Sequence, residues 1–121
     1  MKILEKSEDF TAKQVYEMTQ DKNVISVKDV PTNSIIHATG YVIFEDTDTE
    51  GNATEILSIR GCDENGEVVV WACQSKTFKR SFSEIVDINT DAGVHISEGI
   101  DIQKLDGESK AGRPYVDCRW A

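Results

Sequence analysis

The chain has 121 residues, of which 39% are apolar, and this length fits one domain with a single hydrophobic core. Its longest apolar run, Val68 to Cys73, is too short to cross a membrane, and the charged pair Glu5-Lys6 excludes a secretory signal, so we expect a cytoplasmic protein. Three widely spaced cysteines exclude a zinc or disulfide framework, and a net charge of −9 argues against general affinity for polyanions.

The first predicted element is a short helix near the N-terminus. Thr11 is a suitable cap, and Gln14 three residues later completes a capping box. Asn23 is a plausible stop signal, and Asp29 to Asn33 has the composition of a turn. Residues 1–33 are therefore interpreted as a helix with a lead-in segment.

Three strands are predicted next. The longest, Ser34 to Glu45, has Gly40 at its centre, where glycine usually marks a bulge or a sharp bend. A long bent strand can serve both sheets of a small barrel. Thr54 to Cys62 and Val68 to Ser75 form the second and third strands, and Asn65-Gly66 between them is a strong hairpin signal.

The periodicity then changes to that of a helix, followed by two more strands. The apolar residues recur at helical spacing, and Thr77 is the predicted cap: Phe78, Phe82, Ile85 and Val86. Residues 90–93 end this helix. The fourth strand is predicted over residues 94–105, with Glu98-Gly99 as a possible interruption, and the fifth over residues 115–120, after a polar loop.

The order of these elements is a helix, then β-β-β-α-β-β. This order predicts a mainly-β, OB-like five-stranded barrel with an N-terminal helix. We expect a single domain over residues 1–121, with the helix and lead-in at 1–33 and the barrel at 34–121. A small α+β sandwich with the same element order is the alternative fold.

Residues suited to catalysis are sparse, so we expect a protein that is not an enzyme and uses no cofactor. His37 and His95 lie in strand patterns without a nucleophile motif beside them. Asp46, Asp48 and Glu50 resemble part of a calcium loop, but the bidentate glutamate of such loops is missing. We therefore expect no metal site.

Aromatic residues on the predicted strands favour binding of single-stranded nucleic acid, because bases stack on exposed aromatic rings. Trp71 shares a strand face with Val69 and Cys73, whereas the opposite face of this strand carries small β-branched residues suited to a core. We therefore predict that Trp71 points outward and, with Phe44 and Tyr115, stacks on bases. The alternative is that each of these rings, together with Tyr41 and Trp120, belongs to the core.

The charges are distributed unevenly along this acidic chain. Residues 45–67 contain eight acids and one base, whereas two short segments are basic. The predicted phosphate ligands are Lys76, Lys79, Arg80, Lys110 and Arg113. Cations in the first turn of a helix are mildly unfavourable with its dipole, which is one reason to assign them to phosphate; a solvated helix start is the alternative.

The chain resembles the single-stranded DNA-binding proteins of phi29-type phages over nearly its whole length. The similar features are a helix near the N-terminus, Ile35-Ile36-His37-Ala38-Thr39 at the start of the long strand, Ser75-Lys76-Thr77 before the second helix with Asp87-Ile88 near its end, and a loop with Ser109-Lys110 and Gly112 before the last strand. Each motif is short, and the resemblance depends on their order and spacing.

The resemblance implies a protein that coats single-stranded DNA during phage replication in the host cytoplasm, largely without sequence preference. It implies stacking roles for Phe44 and Trp71, phosphate contacts for Lys76 and Lys110, and replication proteins as candidate further partners. The acidic predicted hairpin, with Asp63 among its acids, departs from what phosphate binding needs. The alternatives are an acidic protein-binding inhibitor or DNA mimic from a phage or mobile element, or a structural module of a replication assembly.

Overall fold

A computed structural model describes all residues of the chain, 1–121. Seven strands and two helices follow one another with two short 3-10 turns, Val27–Asp29 and Ile96–Glu98. The strands are β1 (Lys2–Lys6), β2 (Ile25–Ser26), β3 (Ile35–Thr47), β4 (Ala53–Cys62), β5 (Val68–Cys73), β6 (Ile100–Glu108) and β7 (Pro114–Trp120). The helices are α1 (Ala12–Thr19) and α2 (Lys76–Asp91). Neither helix is long and apolar enough to cross a membrane.

The long strand β3 organises the sheet. It pairs with β4 along one side, and its other side pairs first with β6 and then with β1. The register between β3 and β4 shifts between Ala38 and Gly40, so the predicted bulge is confirmed. A Cβ at Gly40 would lie 2.9 Å from Cζ of Phe10, which explains why a residue without a side chain stands at this bend.

The strands β3 to β7 form a strongly curled half-barrel in the order β5-β4-β3-β6-β7, with β2 added beyond β5. The predicted mainly-β, OB-like fold is thereby confirmed. The barrel interior is closed by the apolar stripe of α2, where Phe78 and Phe82 are completely buried. The Tyr41 ring meets Phe82 edge to face, with 5.6 Å between the ring centroids.

A second, smaller core lies on the outer face of the sheet, under α1. Met18 of this helix packs with Val42 and Phe44 of β3, and the Ser58 hydroxyl donates a hydrogen bond of 2.6 Å to the Met18 carbonyl. The predicted capping box is present, because the Thr11 hydroxyl accepts from the backbone N–H three residues later. Both faces of the central strands are therefore covered.

The lead-in segment, residues 20–34 between α1 and β3, packs against the barrel. Its strand β2 pairs in parallel with β5, and Val27 in the following turn is completely buried in the main core. The buried Lys104 of β6 donates to the Val30 carbonyl at 2.7 Å and to both Asp106 carboxylate oxygens at 2.9 Å. One lysine thus anchors the lead-in to β6.

Several element boundaries differ from the predicted ones. The fourth predicted strand begins at Ile100 because the segment before it forms a 3-10 turn that ends at Gly99, which has φ +95°. Helix α2 begins at Lys76, with Ser75 rather than Thr77 as its cap. The strands β1 and β2 were not predicted, because every residue in both is exposed and shows no buried alternation.

Candidate nucleic-acid interface

Three hollows of about 520, 560 and 240 Å³ surround the junction between β5 and α2, and Gln74 lines all three. We call these three hollows together the basic groove. Its charged and aromatic lining residues are Lys28, Glu55, Lys76, Lys79, Arg80, Asp106 and Tyr115.

The start of α2 supplies one wall of the basic groove. The Ser75 hydroxyl accepts from the Phe78 N–H and fixes where the helix begins. Lys76 and Arg80 are exposed there and make no ion pair with any residue of the chain. Two cations at the positive end of a helix dipole raise the local positive potential. Both side chains are accessible, and their contact with phosphate stays a prediction.

Lys79 differs from its two neighbours. Its side chain is only 11% exposed, and its Nζ donates to the Glu55 carboxylate at 2.6 Å. The prediction that Lys79 is a free phosphate ligand is therefore wrong for this conformation, because the ammonium is already neutralised within the chain. The partner residue Glu55 lies on β4, too far along the sequence for the pairing to be read from spacing.

The β6–β7 hairpin supplies the opposite wall. Tyr115 is 42% exposed and lies across from Gly107, where an added Cβ would be 2.4 Å from the Tyr115 ring. The turn beyond it carries Lys110 and Arg113, both exposed. Because the Ser75 hydroxyl donates to the Val116 carbonyl at 3.2 Å, this hairpin adjoins the start of α2. Lys110 and Arg113 themselves line none of the three hollows, and their convergence with Lys76 and Arg80 on one ligand stays a prediction.

The predicted orientation of Trp71 is wrong. Its side chain is only 4% exposed, in the main core with Val69 and Cys73, and the opposite face of β5 lies on the outer surface. The predicted alternation along β5 is present, but the face that carries Trp71 is the core face and the valine face is the outer one. A tryptophan held in the core offers no ring face to a base without unfolding around it.

The structure also removes the basis for stacking on Phe44. This ring is 3% exposed and is covered by Met18 of α1, which occupies the outer face of β3. The bulge at Gly40 leaves Phe44 and Tyr41 on opposite faces, as the alternation indicated. Of the three predicted stacking residues, only Tyr115 is accessible.

Two residues of the basic groove were not recognised in the sequence. Lys28 is exposed and lines two of the three hollows, and Gln74 lines all three. Lys28 reaches the site because the buried Val27 beside it holds the lead-in against β5. No motif marks this lysine, and only the parallel pairing of β2 with β5 brings it near the start of α2.

The acidic segment over residues 45–67 does not form one surface. Its β3–β4 loop contains Asp48, whose carboxylate accepts from the N–H groups of Glu50 and Asn52. The bond from Asn52 contributes most to lowering the Asp48 pKa. Five of the eight acids lie at this end of β4, and the other three, Asp63, Glu64 and Glu67, lie in the β4–β5 hairpin at the other end of this ten-residue strand, about 30 Å away.

The buried thiols of Cys73 and Cys118 are protonated and unreactive near neutral pH. Desolvation by burial raises the pKa of Cys73 to about 11 and that of Cys118 to about 12. Burial also raises the pKa of the Tyr41 phenol to about 12, with a contribution from the Glu5 carboxylate. Neither thiol is in the thiolate form near neutral pH, so these cysteines are core residues rather than nucleophiles.

Comparisons of this chain with protein-family models, with curated protein sequences and with solved structures give no match.

Proposed function

We propose that the chain binds single-stranded DNA in the basic groove, largely without sequence preference. The observation that carries this proposal is the position of the exposed Tyr115 ring in a groove that also contains exposed cations from α2 and the lead-in. OB-type barrels bind oligonucleotides on the barrel face and on the loops that flank it. The setting, phage-type DNA replication in the host cytoplasm, comes from the family resemblance alone.

A single aromatic ring beside several cations suits an unpaired strand. Stacking of a base on an aromatic ring contributes about 1–3 kcal/mol and tolerates any base. The exposed groove cations Lys28, Lys76 and Arg80 would contact the phosphates on either side of the stacked nucleotide, and Lys110 and Arg113 on the neighbouring turn would contact phosphates beyond the groove. Three such contacts would give a salt slope of about −2.1, and all five would give about −3.5.

The first experiment measures the affinity of a fluorescein-labelled oligo-dT by anisotropy at several salt concentrations. Replacement of Lys28 and Lys76 together by alanine, both of which line the groove, is expected to weaken binding and to reduce the salt slope by about 1.4. The matched control replaces Lys13 and Lys22, which are also exposed but line none of the groove. Equal affinities and slopes for the two double variants would contradict the proposal.

A second variant tests the stacking residue. Tyr115→Ala is expected to lower the affinity by about five- to a hundredfold, which corresponds to the loss of one stacked base. The control is Tyr16→Ala on α1, because Tyr16 is 58% exposed and lies outside the groove. If both tyrosine variants bind the oligonucleotide like the original chain, Tyr115 does not stack on DNA.

The competing hypothesis of an acidic DNA mimic requires one extended acidic surface. The two acidic loops stand at opposite ends of β4, so a single partner would have to span about 30 Å to contact both. We therefore retain single-stranded DNA binding as the function that the geometry supports best. Replication proteins remain candidate partners under this proposal.

A further inference from the structure

A second groove opens at the other end of β5, away from the basic groove. It has a volume of about 410 Å³ and lies between the lead-in, the first residues of β3 and the β4–β5 hairpin. We call it the acidic groove. The lining residues on which the argument depends are Ile25, Asp29, Ile35, Asp63, Glu64 and Trp71.

The acidic groove combines an apolar floor with a rim of one charge sign. Ile36 and Trp71 are buried at its base, whereas Ile25 and Ile35 are each more than a third exposed. Three carboxylates line it, from Asp29, Asp63 and Glu64, and no cation does. None of these three carboxylates is in an ion pair with any residue of the chain.

The edge of the sheet also borders this groove. Ile25 belongs to β2, which pairs with β5 on one side only and is the last strand of the sheet on that side. In this two-residue strand the backbone groups of the two residues face opposite sides, so only one residue directs its N–H and C=O away from β5, where they are free to pair with an added segment. The exposed branched side chains, with this one free pair of backbone groups beside them, suit an extended peptide.

From these features we propose that the acidic groove binds an extended segment of a partner protein in which apolar and basic side chains alternate. The apolar side chains would cover Ile25 and Ile35, and the basic ones would approach the three rim carboxylates. Electrostatic complementarity of this kind increases the association rate and excludes other ligands. A nucleic acid is excluded because its phosphates would meet uncompensated carboxylates.

The groove is independent of the proposed DNA site, since the two share no lining residue. A partner bound there would leave the basic groove open, so the protein could hold DNA and a second protein at once. Tyr115→Ala, which is expected to weaken DNA binding, should therefore leave peptide affinity unchanged. This independence keeps failure of the peptide proposal separate from failure of DNA binding.

The probe is a fluorescein-labelled peptide of sequence Lys-Ile-Lys-Val-Lys-Ile, compared with a peptide in which glutamate replaces each lysine. We expect the basic peptide alone to bind, and the double variant Asp29→Asn with Glu64→Gln to weaken it by about three- to tenfold. Asp63 is left intact because its carboxylate accepts from the Asn65 and Glu67 N–H groups and holds the hairpin turn. The matched control is Asp91→Asn with Glu84→Gln on exposed positions of α2.

A second readout uses Trp71 itself, in a chain where Trp120→Phe leaves it as the only tryptophan. Binding at the groove is expected to change Trp71 emission, whereas binding of the peptide to another acidic surface would not. Equal affinity for the two peptides, equal loss in the two double variants, or unchanged Trp71 emission would each overturn the proposal. Concentration-dependent self-association that Asp29→Asn with Glu64→Gln abolishes would also overturn it, because a second copy of the chain would then be the occupant.

Discussion

The burial of Trp71 makes it a stability residue, and its replacement by alanine tests the reassigned faces of β5. The side chain is 4% exposed and lies in a core cluster of 16 buried residues, where its Cα partner on β4 is Ile59. Truncation of a buried tryptophan typically costs about 3–5 kcal/mol of unfolding free energy. We expect the lower part of this range, since the adjacent acidic groove lets neighbouring side chains move into part of the cavity.

Urea denaturation followed by far-UV circular dichroism measures this loss. With a denaturant slope of about 2 kcal/mol per molar urea, a loss of about 3 kcal/mol lowers the transition midpoint by about 1.5 M. A domain of this size has a total stability of about 5–15 kcal/mol, so Trp71→Ala is expected to remain folded in the absence of urea. Oligo-dT binding by the folded variant is expected to be nearly unchanged.

The control is Trp120→Ala, because Trp120 is 51% exposed at the end of β7. Replacement of an exposed residue usually changes stability by about 0.5 kcal/mol or less. The reassignment would be refuted if Trp71→Ala kept the original midpoint while it lost DNA affinity. That result would mean an outward-facing ring, as the sequence pattern alone suggested.

Three further predictions concern the Lys104 hydrogen bonds, the Asp106 carboxylate and the buried thiols. Lys104→Met is expected to lower the unfolding free energy by about 1–3 kcal/mol in the same urea assay, because the Val30 carbonyl loses its donor; an unchanged midpoint would show that this bond contributes nothing. The hydrogen bond from Lys104 lowers the pKa of Asp106 below its ordinary value near 3.8. The stabilisation that the Asp106 carboxylate gives the folded chain is therefore complete above pH 3.8 and is lost as the pH falls through the lowered pKa. The difference in melting temperature between the original chain and Asp106→Asn should therefore be present at pH 6 and vanish towards pH 2, and a constant difference would argue against the coupling. At pH 8 a thiol reagent should modify Cys62 quickly in the folded chain, whereas Cys73 and Cys118 should react only in urea because they are buried. Rapid reaction of Cys73 or Cys118 in the folded chain would contradict their burial.

The sequence was informative where a pattern had one physical explanation. The helical spacing of Phe78 and Phe82 predicted α2, and Asn65-Gly66 predicted the β4–β5 hairpin, in which Gly66 adopts φ +80°. Gly40 predicted the bulge because glycine within a strand often marks one, and the close approach of Phe10 to the same residue could not be read from the sequence. Each of these signals is local, and each element formed where the pattern placed it.

The sequence was less informative where both faces of a strand pack against other elements. Alternation along β5 separates Trp71 from the valines on its other face, but it does not indicate which set faces the larger core. Both faces are covered in this fold, one by α2 and one partly by α1, so polarity cannot decide between them. The orientation of Trp71 depends on tertiary structure.

The candidate site was predicted only in part, for a related reason. The exposure of Lys76, Arg80 and Tyr115 agreed with expectation, because charged and amphipathic residues beside turns are usually accessible. The ion pair between Lys79 and Glu55 depends on contacts between distant segments, and so does the position of Lys28 in the basic groove. Neither produces any periodic or motif signal.

The anchoring of the lead-in by Lys104 bears on how the chain folds. Lys104 and the Val30 carbonyl it binds are 74 residues apart, and Val27 enters a core that β6 and β7 complete. A ribosome releases the lead-in long before β6, so this segment has no finished core to join during synthesis. Contacts between such distant residues slow folding, since the intervening chain must be closed into a loop first. Until β6 and β7 emerge, Val27 and Trp71 lack the part of the core that these two strands supply, and this is the period when the chain is most exposed to aggregation.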